Sequence, residues 1–261
     1  MPNKSSAPTV QAVSRAMQLL KLVASGQEDG KRVQMLVDAS GLNRTTVTRL
    51  LGCLAETGYV QRIEETGMYR PGIRAMQLGL VAMNRAPIIE RFRPMMKSIA
   101  RITGDTVFLT VRNGDYAHCL HLEKGTFPVQ VVISLVGSFR LMGEGTAGQA
   151  LLATLPRTQL QELYQRHADE YLRKGFTLDR LEQMVRKTLK ARYSSGIGLI
   201  DQRVNAVGIP FEVTPGCYAA LSVGAIESRM DAKRRKEVAR ILDDVLHQAE
   251  VTPFFEEVDI R

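Results

Sequence analysis

The sequence predicts an α+β protein: an N-terminal winged helix-turn-helix, then a larger domain with a mostly antiparallel sheet flanked by helices. Three observations carry this expectation. The first 72 residues place three short amphipathic segments ahead of a hairpin signal. The remainder alternates β-like runs with longer helical ones. Between them the composition changes at Asn84-Arg85-Ala86-Pro87. With 261 residues the chain has room for two domains. The expected divisions are 1–72 for the winged helix-turn-helix, 73–86 for a linker helix and 87–261 for the second domain.

Residues 10–24 carry Val13, Met17, Leu20 and Ala24 at the spacing of one buried helix face. Gly26 and Gly30 end that pattern. A second helix is expected over 33–40, stopped by Gly41. A third starts after Asn43, whose side chain can accept a hydrogen bond from a free backbone N–H, and runs to about Thr57. The turn Ser40-Gly41-Leu42-Asn43 joins them, with glycine allowing the sharp bend. Residues 59–63, the turn Glu64-Glu65-Thr66-Gly67 and residues 68–70 read as strand, turn and strand, closed by Pro71-Gly72. A helix over 73–84 follows, with Ile73, Met76, Leu80 and Met83 along one stripe.

The third helix carries the chemistry of this half. Val47, Leu50, Leu51 and Leu54 form a stripe for burial, leaving Thr45, Arg49 and Gly52 opposite, flanked by Thr46 and Thr48. The exposed N-terminal face is short, hydroxyl-rich and cationic. Threonines and backbone N–H groups reach phosphates, and an arginine reads the paired acceptors of guanine in the major groove. A helix N-terminus also favours anions. The candidate DNA-contacting residues are therefore Asn43, Arg44, Thr45, Thr46, Thr48 and Arg49. Arg62 and Arg70 join them from the wing strands rather than its acidic tip. A capped helix start with a merely solvated face is the bland alternative. The helix-turn-helix context and the local charge weigh against it.

That charge is uneven. The net charge is +8, and residues 1–85 hold 11 Lys+Arg against 6 Asp+Glu. Clustered cations attract polyanions because neutralised phosphates release condensed counterions. Apolar residues make up 44% and no apolar run reaches the length of a membrane span. Residues 1–8 lack the apolar centre of a signal peptide, so a cytoplasmic location and no membrane association are expected. Cys53, Cys119 and Cys217 are odd in number and far apart, which argues against a disulfide framework.

In the second domain a helix is expected over 88–104. Strands follow over 106–112 and 116–123, joined at Asn113-Gly114-Asp115, with a third strand over 128–136. The small-residue run from Gly143 to Gly148 leads into a helix at 149–153. Helices over 157–172 and 178–194 precede strands near 197–201, 205–213 and 218–223, and a helix over 231–250 ends the domain. No Walker A loop, HExxH or G-x-S-x-G is present, so no catalytic residue and no cofactor is expected. His118-Cys119-Leu120-His121 offers at most a two-ligand set: in a regular strand Cys119 and His121 share a face and His118 opposes them. Ordinary strand packing is expected there, and no metal. The small-residue run has two readings. It exposes helix N–H groups that suit a small carboxylate, or it only permits close packing. Ser222 and Gly224 at a strand end face the same region in the first reading.

Together these residues resemble a known family. Residues 42–51 (LNRTTVTRLL), then 54–60 (LAETGYV) and the wing end Tyr69-Arg70-Pro71-Gly72, resemble the DNA-binding domain of IclR-type bacterial transcription regulators. Residues 148–153 (GQALLA) resemble that family's GKALLA signature, and Ile209-Pro210 and Ala220-Leu221-Ser222-Val223 resemble its later strands. The resemblance spans residues 10–248. It implies a dimer, or a dimer of dimers, on a palindromic operator, with 73–84 as the linker helix. It also implies a GAF-like second domain that binds a small organic or aromatic acid. By position, the effector candidates are Thr146, Ala147, Asp201, Ala206, Ser222 and Gly224. The sequence departs from the pattern at several of these places. Gln149 replaces a usual lysine, Gly143-Glu144 replaces His-Ala, Arg203 replaces a common acid, Ala206 a frequent cysteine and Gly224 a frequent serine. Fewer polar groups then face the ligand, which points to a larger or more apolar acid. An enzyme acting on such an acid, or a non-specific DNA-binding protein, are the alternatives.

Overall fold

The computed structural model describes residues 8–24, 30–84, 87–197 and 201–257. The chain divides into two compact units, Met1–Ala86 and Pro87–Arg261. The first contains α1 (Pro8–Ala24), α2 (Val33–Ser40), α3 (Arg44–Glu56), β1 (Val60–Arg62), β2 (Tyr69–Pro71) and α4 (Ile73–Asn84). Its core is Leu19, Val23, Leu36, Val47, Leu51, Leu54 and Val60. The α1 stripe is thus displaced from the expected one. Leu19 and Val23 are buried against α2 and α3, while Val13 and Met17 are half exposed at 56% and 50%. The helix is amphipathic on either reading, and packing against a three-helix core selects the Leu19–Val23 side. Strands β1 and β2 pair antiparallel, and Lys31 adds a bridge to Tyr69, so the wing has a third edge.

The second unit is built on a six-stranded antiparallel sheet. Its elements are α5 (Pro87–Thr103), β3 (Thr106–Asn113), β4 (Tyr116–Glu123), β5 (Phe139–Leu141), α6 (Gly145–Leu152), α7 (Arg157–Arg166), α8 (Ala168–Arg173), α9 (Leu178–Ala191), β6 (Ser194–Ile197), β7 (Val204–Thr214), β8 (Cys217–Ile226), α10 (Ala232–Gln248) and α11 (Phe254–Glu257). The strand order is β5-β4-β3-β8-β7-β6. Alternation sorts side chains by face. Val107, Leu109, Val207, Ile209, Phe211, Ala219, Leu221, Val223 and Ala225 pack with Phe92, Met96, Ile99, Leu242 and Leu246 of α5 and α10. The even-numbered residues of β3, β7 and β8 face the opposite layer, where α6 to α9 gather around Leu151, Leu152, Leu163, Tyr171 and Leu181.

Several elements depart from expectation for local reasons. Residues 128–136 form no strand. Gln130 anchors this segment instead: its side-chain oxygen accepts from Thr106 Oγ1 at 2.9 Å and from the Gly125 N–H at 3.2 Å, and its amide donates to the carbonyls of Gly104 and Phe127. The sheet edge beside β4 goes to the three residues of β5. The helix expected over 157–172 breaks at His167, whose φ of −126° leaves the helical range. The next helix stops at Ala191, where Arg192 turns left-handed at φ 62°. Strand β6 therefore starts at Ser194, and residues 198–200 of the strand expected near 197–201 lie outside the described residues.

Two polar clusters brace the sheet ends, and each yields a test. Asp105 is 3% exposed and pairs with Arg229 at 3.0 Å, while that guanidinium stacks 3.8 Å over the Phe127 ring. Removing one partner leaves a charge buried without compensation, so Arg229→Ala is expected to destabilise the protein by about 3 kcal/mol in urea titration. At the β3–β4 turn, Asp115 accepts hydrogen bonds from Arg166 and His167, all at 2.9 Å. Burial alone pushes this carboxyl up, but the hydrogen bonds from His167 and Arg166 and their charges outweigh it and hold it well below the usual carboxylate range. A carboxyl with a depressed folded pKa stabilises the fold above its unfolded pKa of about 4, and that contribution fades as pH falls towards the folded value. Asp115→Asn should therefore unfold at lower urea at pH 7 and lose less stability than wild type between pH 7 and pH 3.

Candidate DNA-binding surface and ligand cleft

The helix-turn-helix is set by two caps. Gly41 ends α2 at φ 66°, a left-handed position that costs a glycine nothing, and its N–H bonds the Val37 carbonyl at 3.0 Å. Asn43 starts α3: its Oδ1 accepts from the Thr46 N–H at 2.8 Å. That oxygen is occupied in placing the helix, so Asn43 serves first as the cap. Val47, Leu51 and Leu54 turn inward and Leu50 is half-buried. Thr45, Thr48 and Arg49 are exposed along one face, with Arg44 beside them and Thr46 partly covered. Arg44 donates to Gln34 Oε1 at 3.2 Å, linking α3 to α2. In the wing, Arg70 holds Gln61 at 3.1 Å and Arg62 lies over Gly67. The six α3 candidates thus gather at one helix end, while Arg62 and Arg70 sit on the wing strands. Gln34 and Gln61, which set the two arginines, carry no sequence signal because each acts across elements.

A second site lies in the other unit, between the N-terminus of α6 and the even-numbered face of the sheet. Phe108, Thr110, Ala117, Cys119, Ala206 and Ser222 form its floor. Residues 144–148 form one wall, and Ile133, Ser134, Ser138 and Arg140 the other. The cleft opens to solvent, and its cavity volume is about 50 Å³. A smaller adjoining lobe of about 10 Å³ shares Ile133, Gly145, Thr146 and Ala206 and adds Gly196, Asp201 and Val204. The mix of apolar walls with a few convergent polar groups is the chemistry of a small-molecule site.

Three side chains hold the α6 wall from outside. Tyr171 donates to the Met142 carbonyl at 2.6 Å, Lys174 pairs with Glu144 at 2.6 Å, and Ser194 donates to the Thr146 carbonyl at 2.8 Å. Gly143 takes φ 95°, and a Cβ on Gly148 would press to 3.2 Å from the Gly143 nitrogen. Of the two readings of the small-residue run, close packing is the one observed. Gly143 and Gly148 permit close packing, and the turn they make presents Gly145, Thr146 and Ala147 to the cleft. No side chain caps α6, since Glu144 makes no capping hydrogen bond.

Of the predicted effector residues, Thr146, Ala147, Ala206 and Ser222 line the main cleft and Asp201 the smaller lobe. Asp201 is tied to Arg203 at 2.8 Å, which lowers its carboxyl to about 2. Gly224 lies beneath Phe108 and Val131 and lines neither lobe. The sequence reading missed Arg140, which enters through the pairing of β5 with β4, where it sits opposite Ala117. It also misassigned the histidines. Leu109 pairs with His121 but Thr110 pairs with Cys119, so a bulge intervenes in β4. His118 and His121 consequently share the α5 face, and Cys119 alone turns to the cleft. Among the described residues no cluster of three metal-ligating side chains occurs. Burial pushes the Cys119 thiol up to about 11, which keeps it protonated and a poor nucleophile.

A helix-turn-helix with a cationic second helix and a wing is the architecture of DNA-binding transcription regulators. Residues 12–64 match the IclR helix-turn-helix domain and residues 80–250 the bacterial transcriptional regulator IclR C-terminal domain. The chain belongs to the IclR family of DNA-binding transcription regulators and is not an enzyme. It is 23% identical over 225 residues to the HTH-type transcriptional regulator KipR of Bacillus subtilis (strain 168), covering 85% of this chain and 88% of that one. It is 24% identical over 263 residues to the acetate operon repressor of Salmonella typhimurium, covering 92% and 90%. The fold is similar to the crystal structure of an IclR family transcriptional regulator from Brucella abortus, with a TM-score of 0.62 at 19% identity over 95% and 96% of the two chains. No described helix is long and apolar enough to cross a membrane.

Proposed function

We propose that this regulator is a repressor acting in the cytoplasm, whose hold on a palindromic operator is modulated by a small organic or aromatic acid bound in the α6 cleft. The observation that carries this reading is the pairing, within one chain, of an exposed Thr45–Thr48–Arg49 helix face with a separate, mostly apolar cleft holding one arginine. Thr45, Thr48 and Arg49 enter the major groove. Arg44 and Thr46 contact the backbone, Arg62 and Arg70 flank it, and Asn43 fixes the helix start. Two copies read two half-sites one or more helical turns apart.

Self-association as a dimer or tetramer is supported by α4, where Ile73, Met76 and Leu80 stay 57%, 53% and 55% exposed. An apolar helix face of this kind suits pairing with its copy. Repression is supported by the name of the Salmonella relative. The ligand shifts the DNA-binding equilibrium only by its differential affinity for the free and operator-competent arrangements. The test is fluorescence anisotropy on labelled operator at fixed salt, with acids added singly. An effector is expected to change operator affinity by roughly 5- to 150-fold. Operator affinity unchanged by every organic acid tried would overturn the modulation.

A further inference from the structure

We propose that Arg140 is the anion anchor of the α6 cleft and that it selects a monocarboxylate with an apolar body. The proposal rests on the reading of the cleft as an effector site and names the ligand chemistry it takes.

Arg140 is the cation among the side chains lining the main cleft, and its position is fixed from within the protein. Its Nη2 donates to the Ile133 carbonyl at 2.8 Å, and β5 pairs it opposite Ala117 on the cleft floor. Its Nε–H is buried and meets no acceptor, and no carboxylate among the described residues stands within ion-pair distance. A guanidinium stays charged at any pH a protein experiences, so a buried edge without an acceptor is costly until one arrives. A carboxylate satisfies it with charge-assisted, fork-shaped hydrogen bonds. Across the same cleft the uncapped first turn of α6 offers its own N–H groups at Gly145 and Thr146.

The acids nearby limit the ligand to one negative charge. Glu144 lines the cleft and Asp201 the adjoining lobe, but each carboxylate is already paired, Glu144 with Lys174 at 2.6 Å and Asp201 with Arg203 at 2.8 Å. Neither draws on Arg140, and both repel a second carboxylate on the ligand. The remaining wall is Phe108, Ala117, Ile133 and Ala206, an apolar surface for the body of the ligand.

The experiment measures binding to the full-length protein by calorimetry for three matched pairs: benzoate and benzamide, phenylacetate and phenylacetamide, hexanoate and hexanamide. Terephthalate and adipate serve as dianions. At least one acid is expected to bind wild type roughly 10- to 100-fold more tightly than its amide, and more tightly than either dianion. In Arg140→Gln that preference should vanish, and Arg140→Lys should recover part of it, with melting temperatures confirming that both variants fold. The proposal is overturned if no acid outbinds its amide in wild type, if a dianion binds best, or if Arg140→Gln retains the preference. Operator affinity measured alongside separates the two ideas. An acid held through Arg140 that leaves operator affinity unchanged removes the effector reading and keeps the anchor. An acid that shifts operator affinity equally in Arg140→Gln does the reverse.

Discussion

Replacing Thr45 and Arg49 together with alanine is expected to lower operator affinity about 100-fold while leaving the fold intact. Both side chains project from the exposed face of α3, and neither makes a hydrogen bond or ion pair with another described residue. Their loss therefore costs little in the free protein, within about 0.5 kcal/mol for each surface position. On DNA the loss is larger, because a well-placed arginine–guanine pair is worth ~1–3 kcal/mol and threonine adds a phosphate or base contact. Affinity for scrambled duplex should fall much less, since Arg44, Arg62 and Arg70 remain. Competition anisotropy with both duplexes reads the difference. Equal operator affinity in the double variant would remove α3 from the interface.

Gly72→Ala is expected to produce the largest loss of stability in the N-terminal unit, about 2 kcal/mol, together with loss of operator binding. Gly72 closes the wing before α4, and its N–H donates to the Tyr59 carbonyl at 2.8 Å. A Cβ there would stand 2.3 Å from the Gly58 carbonyl oxygen and 3.0 Å from the Val60 carbonyl carbon. Both are backbone atoms, so the wing must move away from α3 rather than a side chain turning aside. Gly79→Ala in α4 is the control: no atom lies within 4 Å of its added Cβ, and alanine favours the helix by ~1 kcal/mol. Circular dichroism melts should show a lowered midpoint for Gly72→Ala and no lowering for Gly79→Ala.

What could be read without coordinates was the part written locally. The Ser40–Asn43 turn, the Asn43 cap and the inward stripe of α3 each depend on residues a few positions apart, and all three stand where the sequence places them. The α1 face was not legible to the residue, because Met17 and Leu19 are both apolar and only the docking of α2 and α3 distinguishes them. Residues 128–136 show a strand-like run of apolar residues, but strand formation needs a partner, and the β4 edge is taken by β5. The bulge that moves His121 to the face of His118 leaves no mark in the sequence. Arg140 was hidden for the same reason. Nothing in Phe139-Arg140-Leu141 tells which side of an edge strand meets a helix contributed by later residues. The small-residue run with Thr146 and Ala147, and Ser222, were suggested by their residue types, whereas Ala206 was reached only through resemblance, which carries the fold's long-range pairings implicitly.

The central claim is sequence-specific DNA binding, and a fluorescence-anisotropy titration at fixed salt tests it most directly. The labelled probe is duplex DNA from immediately upstream of the protein's own gene, competed by a scrambled duplex of equal length and composition. The account predicts that the upstream duplex is held ~1,000-fold or more tightly than the scrambled one. Equal affinity for the two would contradict it.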